Sequence, residues 1–455
     1  MEISELYDVY KACGYRVTTD SRAVAGGELF IALKGENFDG NAYASKALEL
    51  GAARAIVSAD SQAAATGDPR MIAVEDTFIA LRDLARWHRE HFLVDGKPLT
   101  VIGLTGTNGK TTTKELVREV LSRKFNVTAT EGNLNNDIGV PLSILKIRPG
   151  TQLAVIEMGA SHPDDIGKLT SVSEPDYGII TNVGKAHLLG FGSLEGVKKA
   201  KGMLYDWLAG HGGKAFVNVD DEILSGMAAA RKGMETRGYG VEFWRGIVLP
   251  SDQSHPYVRF AVPMNAGLVP EEELSEDLLA CETHLVGSYN VNNALAAIAV
   301  GLEFGVPMEE ALDAISRYEP KNNRSQMVNT GSNVLIVDAY NANPTSMSAA
   351  LDNFEASSAS SKLALLGMMG ELGDDSAAEH AAIVRRLMSE DFPSVLVGGE
   401  FRNAIDSVGG KALDIKWFPD SEALAAYLKE NPVKDTLVLV KGSRSQAMEK
   451  VIPVL

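Results

Sequence analysis

A chain of 455 residues is long enough for about three domains, each with its own core, at roughly 150 residues per domain. Its composition, 45% hydrophobic and 23% charged, is that of an ordinary folded protein and excludes a disordered, collagen-like or disulfide-framed chain. With 43 basic against 60 acidic side chains, the net charge of -17 opposes non-specific adhesion to nucleic acid or to an anionic membrane, so an anionic substrate needs a local basic pocket.

The first residues include Glu2 and Glu5 and lack the basic-then-apolar order of an export signal. Apolar runs at 29–33 and 55–57, a helical pattern over 42–50 and a longer helix over 77–92 predict a small α/β domain, closed by the turn Asp95-Gly96-Lys97-Pro98. A buried-type strand at 99–104 leads into a glycine loop and then a helix over 112–124. Strands at 153–156 and 178–181 alternate with helices near 163–170 and 194–208, which predicts a parallel sheet. The runs 215–217 and 258–260 predict an appended β element, residues 270–277 are acidic and solvated, and a helix covers 290–304. Its apolar stretch 294–300 is too short to span a bilayer.

A turn-rich junction, Tyr318-Glu319-Pro320-Lys321-Asn322-Asn323, precedes a renewed alternation with strands at 334–338, 363–366, 395–397 and 437–440. The expected fold class is therefore α/β with three domains. They are a small N-terminal α/β domain (1–97), a central P-loop-type parallel-sheet domain (98–318) and a C-terminal Rossmann-like doubly wound domain (319–455). Cys13 and Cys281 stand far apart and outside any CxxC spacing, which fits a reducing compartment. A cytoplasmic protein that neither inserts in a membrane nor binds nucleic acid is expected.

Thr105-Gly106-Thr107-Asn108-Gly109-Lys110-Thr111-Thr112 lies between strand and helix, where glycines let backbone N–H groups face a phosphate at the helix N-terminus. Lys110 would neutralise the β/γ-phosphates and the Thr111 hydroxyl would ligate Mg²⁺. The general P-loop pattern wants glycine where Leu104 stands. Glu157 ends an apolar strand, where an exposed acid and a metal ligand are both reasonable readings. His187 alone reads more easily as a hydrogen-bonded structural histidine, and Lys201 in Lys198-Lys199-Ala200-Lys201 as solvated surface. Asn290 and Asn293 open a helix, where first-turn hydrogen bonding accounts for them.

The loop form Thr-Gly-Thr-Asn-Gly-Lys-Thr resembles that of the Mur ligase family, whose members make amide bonds through acyl phosphates. Glu157 in Val155-Ile156-Glu157-Met158-Gly159, His187 in Asn182-Val183-Gly184-Lys185-Ala186-His187 and Lys201 in Lys199-Ala200-Lys201-Gly202 follow in the family's order. Gly287-Ser288-Tyr289-Asn290-Val291-Asn292-Asn293-Ala294 and Asp338-Ala339-Tyr340-Asn341-Ala342-Asn343-Pro344 extend the resemblance over nearly the whole chain. The resemblance implies ATP and two Mg²⁺ ions. It places Gly106, Thr107, Asn108, Gly109, Lys110, Thr111 and Thr112 around the phosphates. It makes Thr111, Glu157, His187 and Lys201 metal ligands, with Lys201 carrying a carbamate from CO₂, and Lys110, Lys201 and His187 the catalytic set. It gives Asn290 and Asn293 to the adenine, behind Tyr289 where relatives often have histidine. Arg324 is given to the phosphates and Asp338 to the ribose.

Four segments resemble, within the family, the members that add D-alanyl-D-alanine to UDP-N-acetylmuramoyl-tripeptide in peptidoglycan precursor synthesis. They are Asp20-Ser21-Arg22 with residues 29–40, the asparagine-rich stretch 132–142, Tyr340-Asn341-Ala342-Asn343-Pro344-Thr345-Ser346, and Gly367-Met368-Met369-Gly370-Glu371-Leu372-Gly373. The resemblance implies those two molecules as substrate partners of a monomer, with Ser21, Arg22, Lys34, Asn135, Asn136, Asn341 and Asn343 as substrate contacts. Turn formation is the alternative reading of the asparagines. Another amide ligase of the family, such as a single-amino-acid muramyl ligase or a folylpolyglutamate synthase-like enzyme, stays open, as does a nucleotide-dependent switch.

Overall fold

The computed structural model describes residues 1–35, 38–250, 255–321 and 324–455. Glu36 and Asn37 of the 29–40 segment, and Asn322 and Asn323 of the expected junction, lie outside the described residues. The architecture is α/β in three domains, each built on a parallel or mostly parallel sheet.

The N-terminal sheet runs Val17–Thr18, Leu29–Ile31, Arg54–Ser58, Met71–Val74, all parallel. Alternate residues of its strands face opposite ways: Phe30, Ala55 and Val57 pack on the helix Ala44–Glu49, whereas Leu29, Ile31 and Ile56 turn toward the central domain. That second face joins one continuous core with Val101, Ala154 and Ile156 of the central sheet. Buried polar contacts close the same seam. Tyr10 donates to the Leu145 carbonyl at 2.5 Å, and the His88 ring lies between the Tyr7 hydroxyl (3.1 Å) and the Ile147 carbonyl (3.0 Å). Arg89 donates to the carbonyls of Ser173 and Glu174 and to Asp176 at 2.8–3.1 Å.

The central sheet has six parallel strands in the order Val127–Ala129, Leu153–Glu157, Thr100–Thr105, Tyr177–Ile180, Lys214–Asn218, Glu235–Tyr239. The run 215–217, expected in an appended β element, is thus the fifth strand of the main sheet. Lys214 pairs with Tyr177 in parallel, and three buried apolar side chains in a row suit a strand covered on both faces. The run 258–260 does belong to an appendage, a three-stranded antiparallel sheet of Ile247–Leu249, Arg259–Pro263 and Leu278–Glu282.

The C-terminal sheet runs Gln326–Asn329, Val334–Asp338, Leu437–Lys441, Lys362–Gly367, Ser394–Val397, Lys416–Phe418; only the first pair is antiparallel. Ile336, Leu366, Leu396 and Leu439 face one core, while Leu335, Val337, Leu365, Val438 and Val440 face the other. Helices therefore cover both faces, as a doubly wound domain requires. Ligand-binding loops of such sheets lie at the carboxyl ends of the strands, and here those ends from the central and C-terminal sheets meet.

Candidate active site

Three neighbouring strands of the central sheet deliver the candidate residues from their carboxyl ends: Thr100–Thr105 the glycine loop, Leu153–Glu157 the carboxylate, and Tyr177–Ile180 the segment 181–187. The helix after the loop starts at Lys110, two residues earlier than the periodicity suggested, because Gly109 supplies a left-handed N-cap at φ 77°. A Cβ at Gly109 would lie 2.7 Å from Asn293 Oδ1, and one at Gly106, where φ is 151°, would lie 1.9 Å from Thr181 Oγ1. Both positions need glycine for conformation and for space.

The loop is pinned from the neighbouring strand. Asn108 N–H donates to Asn182 Oδ1 at 2.9 Å, and its carbonyl accepts from Thr181 Oγ1 (2.6 Å) and Asn182 Nδ2 (3.0 Å). Thr107 Oγ1 accepts from Gly184 N–H at 2.9 Å. Thr181 and Asn182 were not singled out from the sequence, although Asn182 opened a motif that was. Lys110 Nζ donates to the carbonyls of Gly106 (2.8 Å) and Thr107 (3.0 Å). Burial in the cleft lowers its pKa, and the Glu157 carboxylate acts in the opposite sense.

Glu157 is 1% exposed and pairs with no lysine or arginine among the described residues. Thr111 Oγ1 donates to it at 3.0 Å and Asn135 Nδ2 at 2.8 Å, while its own N–H donates to Thr130 Oγ1. A buried carboxylate beside a hydroxyl, with no ammonium or guanidinium on it, fits an oxygen-seeking divalent cation. Among the described residues no three His, Cys, Asp or Glu side chains cluster as a complete metal cage. An ion held by two protein oxygens, phosphate and water suits Mg²⁺ under those conditions.

Lys201 is 2% exposed, and Nζ donates to the same Gly106 carbonyl as Lys110, at 2.9 Å. Burial lowers its pKa well below the ordinary lysine value, and the Lys110 charge adds to that. The reading of Lys201 as solvated surface, which its lysine-rich neighbours alone suggest, does not hold; the side chain is interior. Val197, Ala200, Lys201, Leu204, Tyr205 and Leu208 form the buried stripe of the helix Leu194–His211, so Lys201 occupies a core position of a helical repeat. That periodicity was a sequence signal for its burial.

His187 is held at φ 52° and meets Glu371 of the C-terminal domain through Nδ1, a hydrogen-bonded contact that lowers the Glu371 pKa. A carboxylate on one ring nitrogen leaves the other as a ligand, the usual arrangement around a metal-binding histidine. Asn290 and Asn293, both buried, link helix to helix. Thr113 Oγ1 donates to Asn293 Oδ1 at 3.0 Å, Asn293 Nδ2 to Asn290 Oδ1 at 2.8 Å, and Asn290 Nδ2 to the Val286 carbonyl at 2.7 Å. Thr112 is buried in the same helix turn.

In the C-terminal domain the Arg324 guanidinium lies 3.7 Å from the Tyr340 ring centre, with Arg444 at 5.2 Å. Asp338 accepts from the buried Lys441 at 2.5 Å, and Lys441 also reaches the Asn341 carbonyl at 3.3 Å. Lys441 is directly opposite Asp338 in the parallel register, a partner that only the strand pairing could reveal. Asn343 caps the helix Pro344–Glu355, and its Nδ2 donates to Asn108 Oδ1 at 2.8 Å. Asn136 caps another turn through Gly139 N–H, and Asn341 is exposed with its Oδ1 accepting from Ala342 N–H. In the N-terminal domain, Ser21 and Arg22 start a short helix where Arg22 pairs with Asp20, and Lys34 is exposed in a small hairpin. Among the described residues no hydrogen bond or ion pair joins these three to the glycine loop. A cleft of about 780 Å³ lies apart from that loop, beside Val258, Val286, Met327 and Asn329.

Residues 15–93 match the model of the Mur ligase family catalytic domain, 104–301 the Mur ligase middle domain, and 323–444 the Mur ligase glutamate ligase domain. The chain is 33% identical over 444 residues to the UDP-N-acetylmuramoyl-tripeptide--D-alanyl-D-alanine ligase of Bacillus subtilis (strain 168), covering 96% of this chain and 92% of that one. A crystal structure of MurF from Acinetobacter baumannii superposes with a TM-score of 0.81 at 29% identity, covering 96% and 92% of the two chains. MurF ligase from Thermotoga maritima, solved with ADP, gives 0.81 at 26% identity and 96% of each chain.

Proposed function

This chain belongs to the Mur ligase family, and from that premise we propose how its cleft works. It is an ATP-dependent ligase that joins D-alanyl-D-alanine to UDP-N-acetylmuramoyl-tripeptide in peptidoglycan precursor synthesis, forming a C–N bond. The observation that carries this reading is similarity to ligases of that name over 96% of the chain, spanning all three domains rather than the nucleotide loop alone. A switch that merely shared the loop would not match along the N- and C-terminal domains.

The loop N–H groups and Lys110 receive the ATP phosphates, and Lys110 exchanges its carbonyl partners for charge-assisted bonds to phosphate oxygens. Thr111 and Glu157 offer the oxygens for Mg²⁺, which supplies charge compensation on the phosphates when bound. A carboxylate oxygen of the tripeptide attacks the γ-phosphorus, the bond to the β-phosphate oxygen breaks, and ADP leaves. The dipeptide amine then attacks the acyl carbon, loses a proton, and expels phosphate with that same carboxylate oxygen. Meeting of the C-terminal and central loops keeps water from the acyl phosphate. Tripeptide labelled with oxygen-18 in its terminal carboxylate should pass one label into inorganic phosphate; unlabelled phosphate would rule the acyl phosphate out.

Burial lowers the Lys201 pKa and so favours the neutral amine that carbamate formation with CO₂ requires, and a carbamate would turn this position into an anionic metal ligand. Carbon-13 bicarbonate should give a carbamate resonance that is missing from Lys201→Ala. A spectrum unchanged by that substitution would exclude the modification at this site. The reaction uses ATP and a nucleotide-linked sugar, which supports the cytoplasm as its location.

A further inference from the structure

Two asparagines 235 positions apart meet at the centre of the interdomain cleft: Asn343 Nδ2 donates to Asn108 Oδ1 at 2.8 Å. Both backbones are independently fixed. Asn108 is tied to Thr181 and Asn182 of the central domain through its N–H and carbonyl. Asn343 is fixed in the C-terminal domain by a capping box, in which its Oδ1 accepts from Ser346 N–H (2.8 Å) and its N–H donates to Ser346 Oγ (3.1 Å). Only the side-chain amides are left to span the gap, and a hydrogen bond weakens steeply once its atoms separate by more than a few tenths of an ångström.

Other contacts cross the same gap. Lys185 pairs with Glu379 at 2.6 Å, Lys185 N–H donates to Thr345 Oγ1 at 3.2 Å, and His187 meets Glu371. Those three reach the segment 185–187, whereas Asn343 reaches a residue of the phosphate loop itself. Asn343 is 6% exposed, so the amide bridge is shielded from water that would otherwise compete for it. Neither amide titrates, so the bridge reports the position of the C-terminal domain independently of pH.

We propose that Asn343 is a positioning residue for the ligation: through Asn108 it couples the seating of the C-terminal domain to the geometry of the phosphate loop. This rests on the ligase reading above. The helix Pro344–Glu355 and the loop before it then move as one with the phosphate-binding backbone when the cleft closes. Loss of the bridge lowers the population of the aligned state, not the affinity of the first substrate.

The test uses the full chain, ATP, UDP-N-acetylmuramoyl-tripeptide and D-alanyl-D-alanine, with the variants Asn343→Ser, Asn343→Ala, Asn108→Ser and the Asn108→Ser/Asn343→Ser double. Serine retains the helix cap and removes the amide donor, so Asn343→Ser should unfold at the native temperature while Asn343→Ala should not. The expected result is kcat about five- to tenfold lower in each Ser variant, as the loss of one net hydrogen bond gives, with KM for the UDP-tripeptide within about twofold. The double variant should be no slower than the slower single, because both remove the same bridge. Native kcat in Asn343→Ser, or losses that multiply in the double, overturns the proposal. If Asn343→Ser does not fold, Asn108→Ser against the native chain decides by the same kcat and KM criteria. Product formed by the native chain beside unaffected variants refutes the bridge alone, whereas no pentapeptide from the native chain refutes the ligase reading.

Discussion

Lys201 sets stability against activity at a single side chain. It is interior, its amino group has one carbonyl partner among the described residues, and it shares that carbonyl with a second lysine, so in the absence of other ligands it costs the fold free energy. Lys201→Met should therefore unfold at a higher temperature than the native chain in bicarbonate-free buffer, yet lose most ligase activity that added bicarbonate does not restore. Thermal unfolding beside a phosphate-release assay checks both halves, and near-native turnover would remove the lysine from the mechanism. The chemistry of this residue was not legible in its neighbours Lys198 and Lys199, which face outward; its burial was legible in the helical spacing that sets it beside Val197 and Leu204. Glu371 and Lys441 had no such signal. Their partners His187 and Asp338 lie 184 and 103 positions away in the chain; the meeting of two domains joins the first pair and parallel strand pairing within one sheet joins the second.

At the scale of elements, the glycine loop and the first seam behave oppositely. Gly106 tolerates no side chain: Gly106→Ala places a methyl on Thr181 at an unfavourable φ, and ADP affinity should fall about five- to 150-fold for strain of about 1–3 kcal/mol. Titration calorimetry would show it, and native affinity would mean that the loop yields. The seam between the first two domains contains a histidine whose pKa burial pushes down to about 4. His88 is neutral in the fold and protonates more readily when unfolded, so the unfolded chain binds more protons between pH 6.5 and 4. Stability contributed by this site is present above pH 6.5 and is lost as pH falls toward 4, by about 3 kcal/mol in total. Urea titrations should give the native chain a steeper loss over that window than His88→Gln; parallel curves would assign the acid sensitivity elsewhere. The loop and its helix were readable in the sequence because glycine, lysine and a switch of hydrophobic period stand together. The run 215–217 was assigned to the wrong sheet because a short apolar strand carries no mark of its neighbours, and the edge strands Gln326–Asn329 and Lys416–Phe418 are too short and mixed to show alternation.

For the whole molecule, core continuity divides the chain unequally. The first two domains share one extensive buried cluster, whereas the C-terminal domain has clusters on both faces of its own sheet, takes only Val286 and Tyr257 of the central domain's described residues into them, and meets the phosphate side of the cleft through polar contacts. Rigid-body motion is expected between the C-terminal domain and the fused pair, because polar contacts exchange with water more readily than a shared core separates. Small-angle scattering should report a more compact particle with both an ATP analogue and UDP-tripeptide than with neither, and identical profiles would argue against closure. The three-domain α/β order was legible from the repeated strand–helix alternation, but the fusion of two domains was not, since it depends on which face of Leu29–Ile31 turns inward.

The central claim is the bond that the enzyme makes, and the most direct test is ATP-dependent phosphate release with UDP-N-acetylmuramoyl-tripeptide, read together with product mass. D-alanyl-D-alanine should give stoichiometric phosphate and the mass of the pentapeptide, while single amino acids, or folate with glutamate, should give neither. Turnover with a single amino acid would contradict the substrate assignment and retain the acyl-phosphate chemistry; phosphate release without any ligated product would contradict the ligase account itself.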